Sequence, residues 1–71
     1  MHDPVECRSN DLYADRPTAL WWAGERLPVA RIVSRWRSPA GRGFRVCTTD
    51  DFVFELFYDE AANEWRVELK S

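Results

Sequence analysis

"FRVCTTDDFVFELFY", residues 44–58, alternates apolar and polar side chains on either side of a short break, "TTDD". Phe44, Val46, Phe54 and Leu56 share one parity within their runs, and Arg45 and Glu55 the other. A period of two marks half-buried strands, so the stretch reads as a hairpin. Its register follows from parity. With Thr48 opposite Phe52, and Thr49, Asp50 and Asp51 between them, Val46 faces Phe54, Phe44 faces Leu56 and Arg45 faces Glu55. A two-residue loop would set Val46 against Glu55 and mix the faces, because a one-residue slip turns every side chain over.

Downstream, "DEAAN" (59–63) reads as a turn and "WRVELK" (65–70) alternates again. Two registers keep its faces pure. One sets Glu55 against Glu68, like charge beside like. The other sets Glu55 against Arg66, Leu56 against Trp65, Phe54 against Val67 and Phe52 against Leu69. Cross-strand pairs differ by roughly 0.2–1 kcal/mol, which favours the second. It gives apolar rows Phe44–Leu56–Trp65, Val46–Phe54–Val67 and Thr48–Phe52–Leu69, backed by a charged row Arg45–Glu55–Arg66. Asp51 and Asn63 suit the left-handed conformations such turns require.

Upstream, "TALWW" (18–22) is expected as the first strand, and "AGER" (23–26) as a tight turn on Gly24. "LPVARIVSRWR" (27–37) is a strand with a parity fault. Leu27 and Val29 are apolar at odd positions, Ile32 and Trp36 at even ones. A β-bulge near Ala30–Arg31 absorbs the extra residue, and Pro28 must sit where no donor is needed. "SPAGRG" (38–43) is expected as a loop. Residues 1–16 are polar and aperiodic and read as a flexible arm, docked at most by Leu12 and Tyr13. The fold expected is all-β: a five-stranded antiparallel meander over residues 17–71, strongly curled or an SH3-like half-barrel. Trp36 and Trp65 are expected in its core.

Seventy-one residues are enough for one small domain with a stability of a few kcal/mol. Four Trp, four Phe and two Tyr supply the large side chains such a core needs. The net charge of −2 is unevenly spread. Residues 26–45 hold Arg26, Arg31, Arg35, Arg37, Arg42 and Arg45 without an acid, whereas residues 50–68 hold seven acids and only Arg66. Arginine outnumbers lysine, as in GC-rich bacterial genomes. No apolar run is long enough for a signal peptide or a membrane span, so the cytoplasm is the expected location.

Enzyme chemistry finds no footing. His2 is the only histidine, so no Ser or Cys has a His base. His2, Cys7 and Cys47 lack metal-ligand spacing. "GRG" is too short to cradle a phosphate, and the acid pairs Asp50–Asp51 and Asp59–Glu60 fall in turns. No cofactor, metal or small-molecule substrate is expected. Two binding surfaces compete. Arg35, Arg37, Arg42 and Arg45 form a basic stripe, expected on one side with Arg66 behind, and Arg31, whose direction the bulge leaves open, joins them as a candidate contact; guanidinium forks suit phosphate. Trp21, turned outward if Trp22 packs on Leu27, would stack on a base of single-stranded nucleic acid. The alternative is a protein partner on Val53 and Phe57, apolar side chains on the charged face, or an edge-strand homodimer.

The series Trp22-x-Gly24, Val29-x-x-Ile32-Val33-x-Arg35-Trp36, Phe44-Arg45-Val46, Phe54-Glu55-Leu56-x-x-Asp59 and Trp65-x-Val67 resembles a small actinobacterial domain of unknown function. That domain occurs alone or at the C-terminus of Y-family-polymerase-like DNA repair proteins. The resemblance covers roughly residues 16–70, and its motifs are mostly sheet positions. Where the family has a longer, Trp-rich loop, this chain has only "SPAGRG". The resemblance implies a non-enzymatic accessory module of DNA-damage tolerance and assigns no catalytic residue.

Overall fold

A computed structural model describes residues 4–10 and 13–71. Six strands, β1 (Val5–Asn10), β2 (Tyr13–Trp22), β3 (Glu25–Ser38), β4 (Gly41–Thr48), β5 (Val53–Asp59) and β6 (Glu64–Leu69), run in sequence order as one antiparallel sheet. The sheet curls into a half-barrel: the ring of Trp22 on β2 meets that of Phe54 on β5 edge-on, with centroids 5.4 Å apart.

The extra strand corrects the expected arm. Residues 5–10 pair with β2, with Val5 opposite Leu20 and both buried in the core. The backbone N–H of Trp21 donates to the carbonyl of Pro4 at 2.8 Å. Of the two expected anchors, Leu12 and the side chain of Tyr13 lie outside the described residues.

The turn between β2 and β3 places Ala23 (φ 52°) and Gly24 (φ 80°) at its centre. Positive φ at both positions is the type I′ geometry that matches strand twist. The β4–β5 hairpin has the expected register: Phe44 faces Leu56, Arg45 faces Glu55 and Val46 faces Phe54. Asp51 is left-handed (φ 69°), and the Thr48 N–H donates to the Phe52 carbonyl at 2.9 Å.

The β5–β6 hairpin takes the other register. Glu55 faces Glu68, Leu56 faces Val67, Phe54 faces Leu69 and Phe57 faces Arg66. Turn chemistry decides. The expected pairing would leave a two-residue loop, Glu60–Ala61, needing positive φ where neither residue is Gly or Asn. The observed loop is two residues longer. Asp59 Oδ1 accepts from the N–H groups of Ala61 and Ala62, each at 3.1 Å. Asn63 is left-handed (φ 56°) and accepts from the Tyr58 hydroxyl. Lys70 lies 2.7 Å from Glu68 and 3.9 Å from Glu55, which offsets the like-charge pair. Trp65 faces Tyr58 instead of Leu56 and packs half-buried on Tyr58 and Phe44. Phe52 and Leu69 are exposed, so the third expected apolar row keeps only Thr48 buried.

The β3–β4 pairing carries two irregularities. One falls between Val29 and Arg31, as the parity fault requires; the other falls between Ile32 and Ser34. Beyond it Ser34 faces Arg45, Arg35 faces Phe44, Trp36 faces Gly43 and Arg37 faces Arg42. "SPAGRG" is therefore mostly strand. Only Pro39 and Ala40 separate β3 from β4, and neither Gly41 nor Gly43 takes a positive φ. Both are buried glycines because a neighbour occupies the space of a side chain, the Tyr58 carbonyl at Gly41 and the Trp36 indole at Gly43.

The core is Val5, Leu20, Leu27, Phe44, Val46, Phe54 and Leu56, with Val29, Ile32, Trp65 and Val67 packed against it. Trp36 is not in it. The second bulge turns the indole to the outer face, where it is 40% exposed.

Candidate nucleic-acid interface

Residues paired across a ladder share a face. Arg45 faces Ser34 and Glu55, whereas Arg35 faces buried Phe44. The two therefore project from opposite sides, and the single basic stripe expected from sequence does not exist. Arg31, opposite Cys47, shares the face of Arg45; Arg35, Arg37 and Arg42 share the face of Phe44.

Some arginines are spent within the fold. Arg45 Nε donates to Glu55 at 3.2 Å, and its Nη2 donates to the same carboxylate oxygen. Arg66 reaches Asp59 at 3.2 Å. Arg26 grips Glu6 with two bonds, at 2.9 and 3.0 Å. That same Glu6 carboxylate accepts from the Trp21 indole N–H at 3.3 Å. Trp21 does lie on the face away from Leu27, as expected, but it is half-buried and tied to Glu6 of β1.

Other arginines converge on a cleft that sequence spacing could not reveal. β2 pairs with β3 only through Ala19–Trp22 against Glu25–Pro28. Beyond that short ladder β2 stays with β1 and β3 continues with β4, so the two strands part. The gap is a cleft of about 620 Å³ with Arg8 and Arg16 on one wall and Arg31 and Arg35 on the other. Pro17, Val29 and Ile32 are among the apolar residues between them. Arg31 and Arg35 leave opposite faces of β3 yet both reach the cleft, because it opens at the strand's unpaired edge. Among the described residues, none lining the cleft is acidic, and none forms an ion pair with these four arginines.

Arg35 also borders a second, smaller cleft of about 280 Å³, shared with Trp36, Arg37, Arg42 and Phe44. There the Arg42 guanidinium lies over the Tyr58 ring, 5.6 Å from its centroid. The arginine track therefore runs along β3 from Arg31 to Arg37, about 20 Å at strand rise. Two cross-strand pairs around the two clefts set like against like, Arg8 with Arg16 between β1 and β2 and Arg37 with Arg42 between β3 and β4. Such pairs destabilise a sheet.

Arg8 and Arg16 were missed in the sequence because they fall in the presumed arm. Val53 and Phe57 lie where expected, on the face of Glu55, and both are half-buried. Phe57 borders a further cleft of about 280 Å³ with Trp36, Glu55, Arg66 and Glu68. No family model, curated protein or solved structure matches the chain.

Proposed function

We propose that this protein is a non-enzymatic binding module that holds the phosphate backbone of single-stranded nucleic acid in the cleft between β2 and β3. The observation that carries this proposal is the convergence of Arg8, Arg16, Arg31 and Arg35 on one cleft without an acid among its described lining residues. Guanidinium groups hold phosphate in two-point contacts and keep their charge at any physiological pH. The apolar strip between them supplies surface against which sugars and bases pack. The resemblance to the small actinobacterial repair-associated domain suggests the setting, DNA-damage tolerance, where single strands are exposed.

The test is titration of a fluorescein-labelled thymidine 15-mer at several salt concentrations. Each phosphate contact to a single strand contributes a slope of about −0.7 in log affinity against log salt, so four contacts give about −3. That amounts to a loss of about 50-fold between 50 and 200 mM salt. Replacing Arg31 and Arg35 with Ala should reduce the slope by about 1.4. Affinity that ignores salt, or that survives this double replacement unchanged, refutes the proposal. A protein partner on Val53 and Phe57 is the rival, supported by the half-buried Phe57 beside exposed Trp36. It predicts a binding partner lost in Phe57→Ser and retained in the arginine variant.

A further inference from the structure

We infer that Trp36 is the base-stacking platform of this module, a role resting on the nucleic-acid reading above. Three observations converge on it. Trp36 is a large aromatic ring exposed at 40%, in a chain whose core is built from other aromatic and aliphatic residues. It is held in place: the indole lies on Gly43, so that a Cβ there would come within 2.6 Å of Nε1 and closer still to two ring carbons. Arg35 and Arg37 leave the opposite face of β3, yet both line, together with Trp36, the small cleft that continues the arginine track.

These features are what stacking needs. A ring seated on a glycine keeps one face packed and loses little freedom when a base covers the other. Base–aromatic stacking tolerates any sequence, because every base has a π-face. Arg35 and Arg37, which line the same cleft, hold phosphates next to the stacked base. The cleft on Trp36's own face carries Glu55 and Glu68 beside Arg66, and its carboxylates repel a phosphate backbone. The strand is therefore directed along Arg35 and Arg37, and Trp21 is relieved of the role because its ring is engaged with Glu6.

The experiment compares two probes, a thymidine 10-mer and an abasic strand of ten deoxyribose phosphates. Each is titrated against wild type, Trp36→Ala, Trp36→Phe and the Arg31→Ala/Arg35→Ala variant, with far-ultraviolet circular dichroism confirming the fold. Trp36→Ala should weaken the thymidine probe about tenfold or more, leave the abasic probe unchanged and leave the salt slope unchanged. Trp36→Phe should retain most of the affinity. The arginine variant should weaken both probes. If Trp36→Ala binds thymidine as wild type does while the arginine variant fails, the stacking role is overturned and the phosphate cleft stands. Equal weakening of both probes by Trp36→Ala also overturns it, since the residue would then shape the cleft without touching a base. If wild type binds neither probe, both inferences fall.

Discussion

Replacing Gly43 by Ala tests the feature on which the arrangement of β3 depends. In most strands Gly→Ala stabilises, by about 0.4–1 kcal/mol, because alanine has less freedom to lose on folding. At position 43 the new methyl would overlap the Trp36 indole, so the ring must leave. A tryptophan buries roughly 150–250 Å² when fully covered. Trp36 is 40% exposed, so about 120 Å² is at stake, about 3 kcal/mol at ~25 cal/mol per Å². The ring rebinds part of that surface elsewhere, and alanine returns its backbone gain. A net loss of about 1–2 kcal/mol remains, a fall in Tm of roughly 5–15 °C for a domain of this size. Urea unfolding followed by circular dichroism measures it, and a red shift of native tryptophan emission reports the ejected ring. The decisive arm is the double-mutant cycle. In a Trp36→Ala background the obstacle is gone, so Gly43→Ala should be neutral or stabilising, with a coupling energy of at least about 1 kcal/mol. A gain in stability from Gly43→Ala in the wild-type background would refute the reasoning. It would mean that the indole does not rest on residue 43, and that the second bulge of β3 is absent.

Three further outcomes are expected. Val5→Ser should cost roughly 2–3 kcal/mol in urea unfolding, because Val5 is only 3% exposed and a hydroxyl in its place has no partner in the apolar core; an unchanged midpoint would return residues 5–10 to the status of an arm. The Arg45 hydrogen bond, then the charges of Lys70 and Arg45, hold Glu55 below its ordinary value of 4.5 against the opposing effect of desolvation. A carboxylate lowered in the folded state stabilises fully above its unfolded value, and the contribution disappears as pH falls through the lowered value. Unfolding midpoints from pH 7 to 3 should therefore show an acid limb that flattens in Glu55→Gln, and an identical limb in both proteins would count against the Arg45–Glu55 pair. Finally, a polyphosphate should raise Tm more than chloride at equal ionic strength, since a ligand that binds only the folded state stabilises it; Arg8→Ala/Arg16→Ala should abolish the difference.

How much of this was legible in the sequence depended on whether local chemistry or long-range packing set each feature. The β4–β5 hairpin was readable in full, because the parity of Val46 and Phe54 leaves one loop length and Asp51 suits the turn. In the β5–β6 hairpin a modest cross-strand charge preference yields to the turn. Asp59 and Asn63 each bear a turn signal, and together they specify the longer loop. The first bulge of β3 left a trace in the shift from odd to even apolar positions. The second left none, because Ile32 and Trp36 look like members of one row. Its only sequence signal is indirect: Gly41 and Gly43 are glycines in extended backbone, each yielding space to a neighbour. β1 was hidden by composition, since Val5 is the one aliphatic residue in "VECRSN" and it is buried.

The slip at Val33 also decides what the arginines can do. Without it, Arg35 and Arg37 would lie beside Arg45, within reach of Glu55, in a face of alternating charges. With it, arginines fall into two sets according to what stands across from them or folds back on them. Arg26, Arg45 and Arg66 each meet a carboxylate and contribute to the sheet at the modest level of exposed ion pairs. Arg8 and Arg16 meet each other, Arg37 meets Arg42, and Arg35 meets Phe44. A sheet gains nothing from two guanidinium groups side by side, and a chain with twelve acids could have placed one opposite either pair. Departures from local consistency concentrate where a protein binds something. The acids instead lie mostly on β5, β6 and their turns, with β4 between them and the open edge of β3. That separation is how a protein of net charge −2 can gather four arginines around one cleft with no acid among its described lining residues. An anion entering between β2 and β3 would relieve the repulsion of Arg8 and Arg16 as it bound.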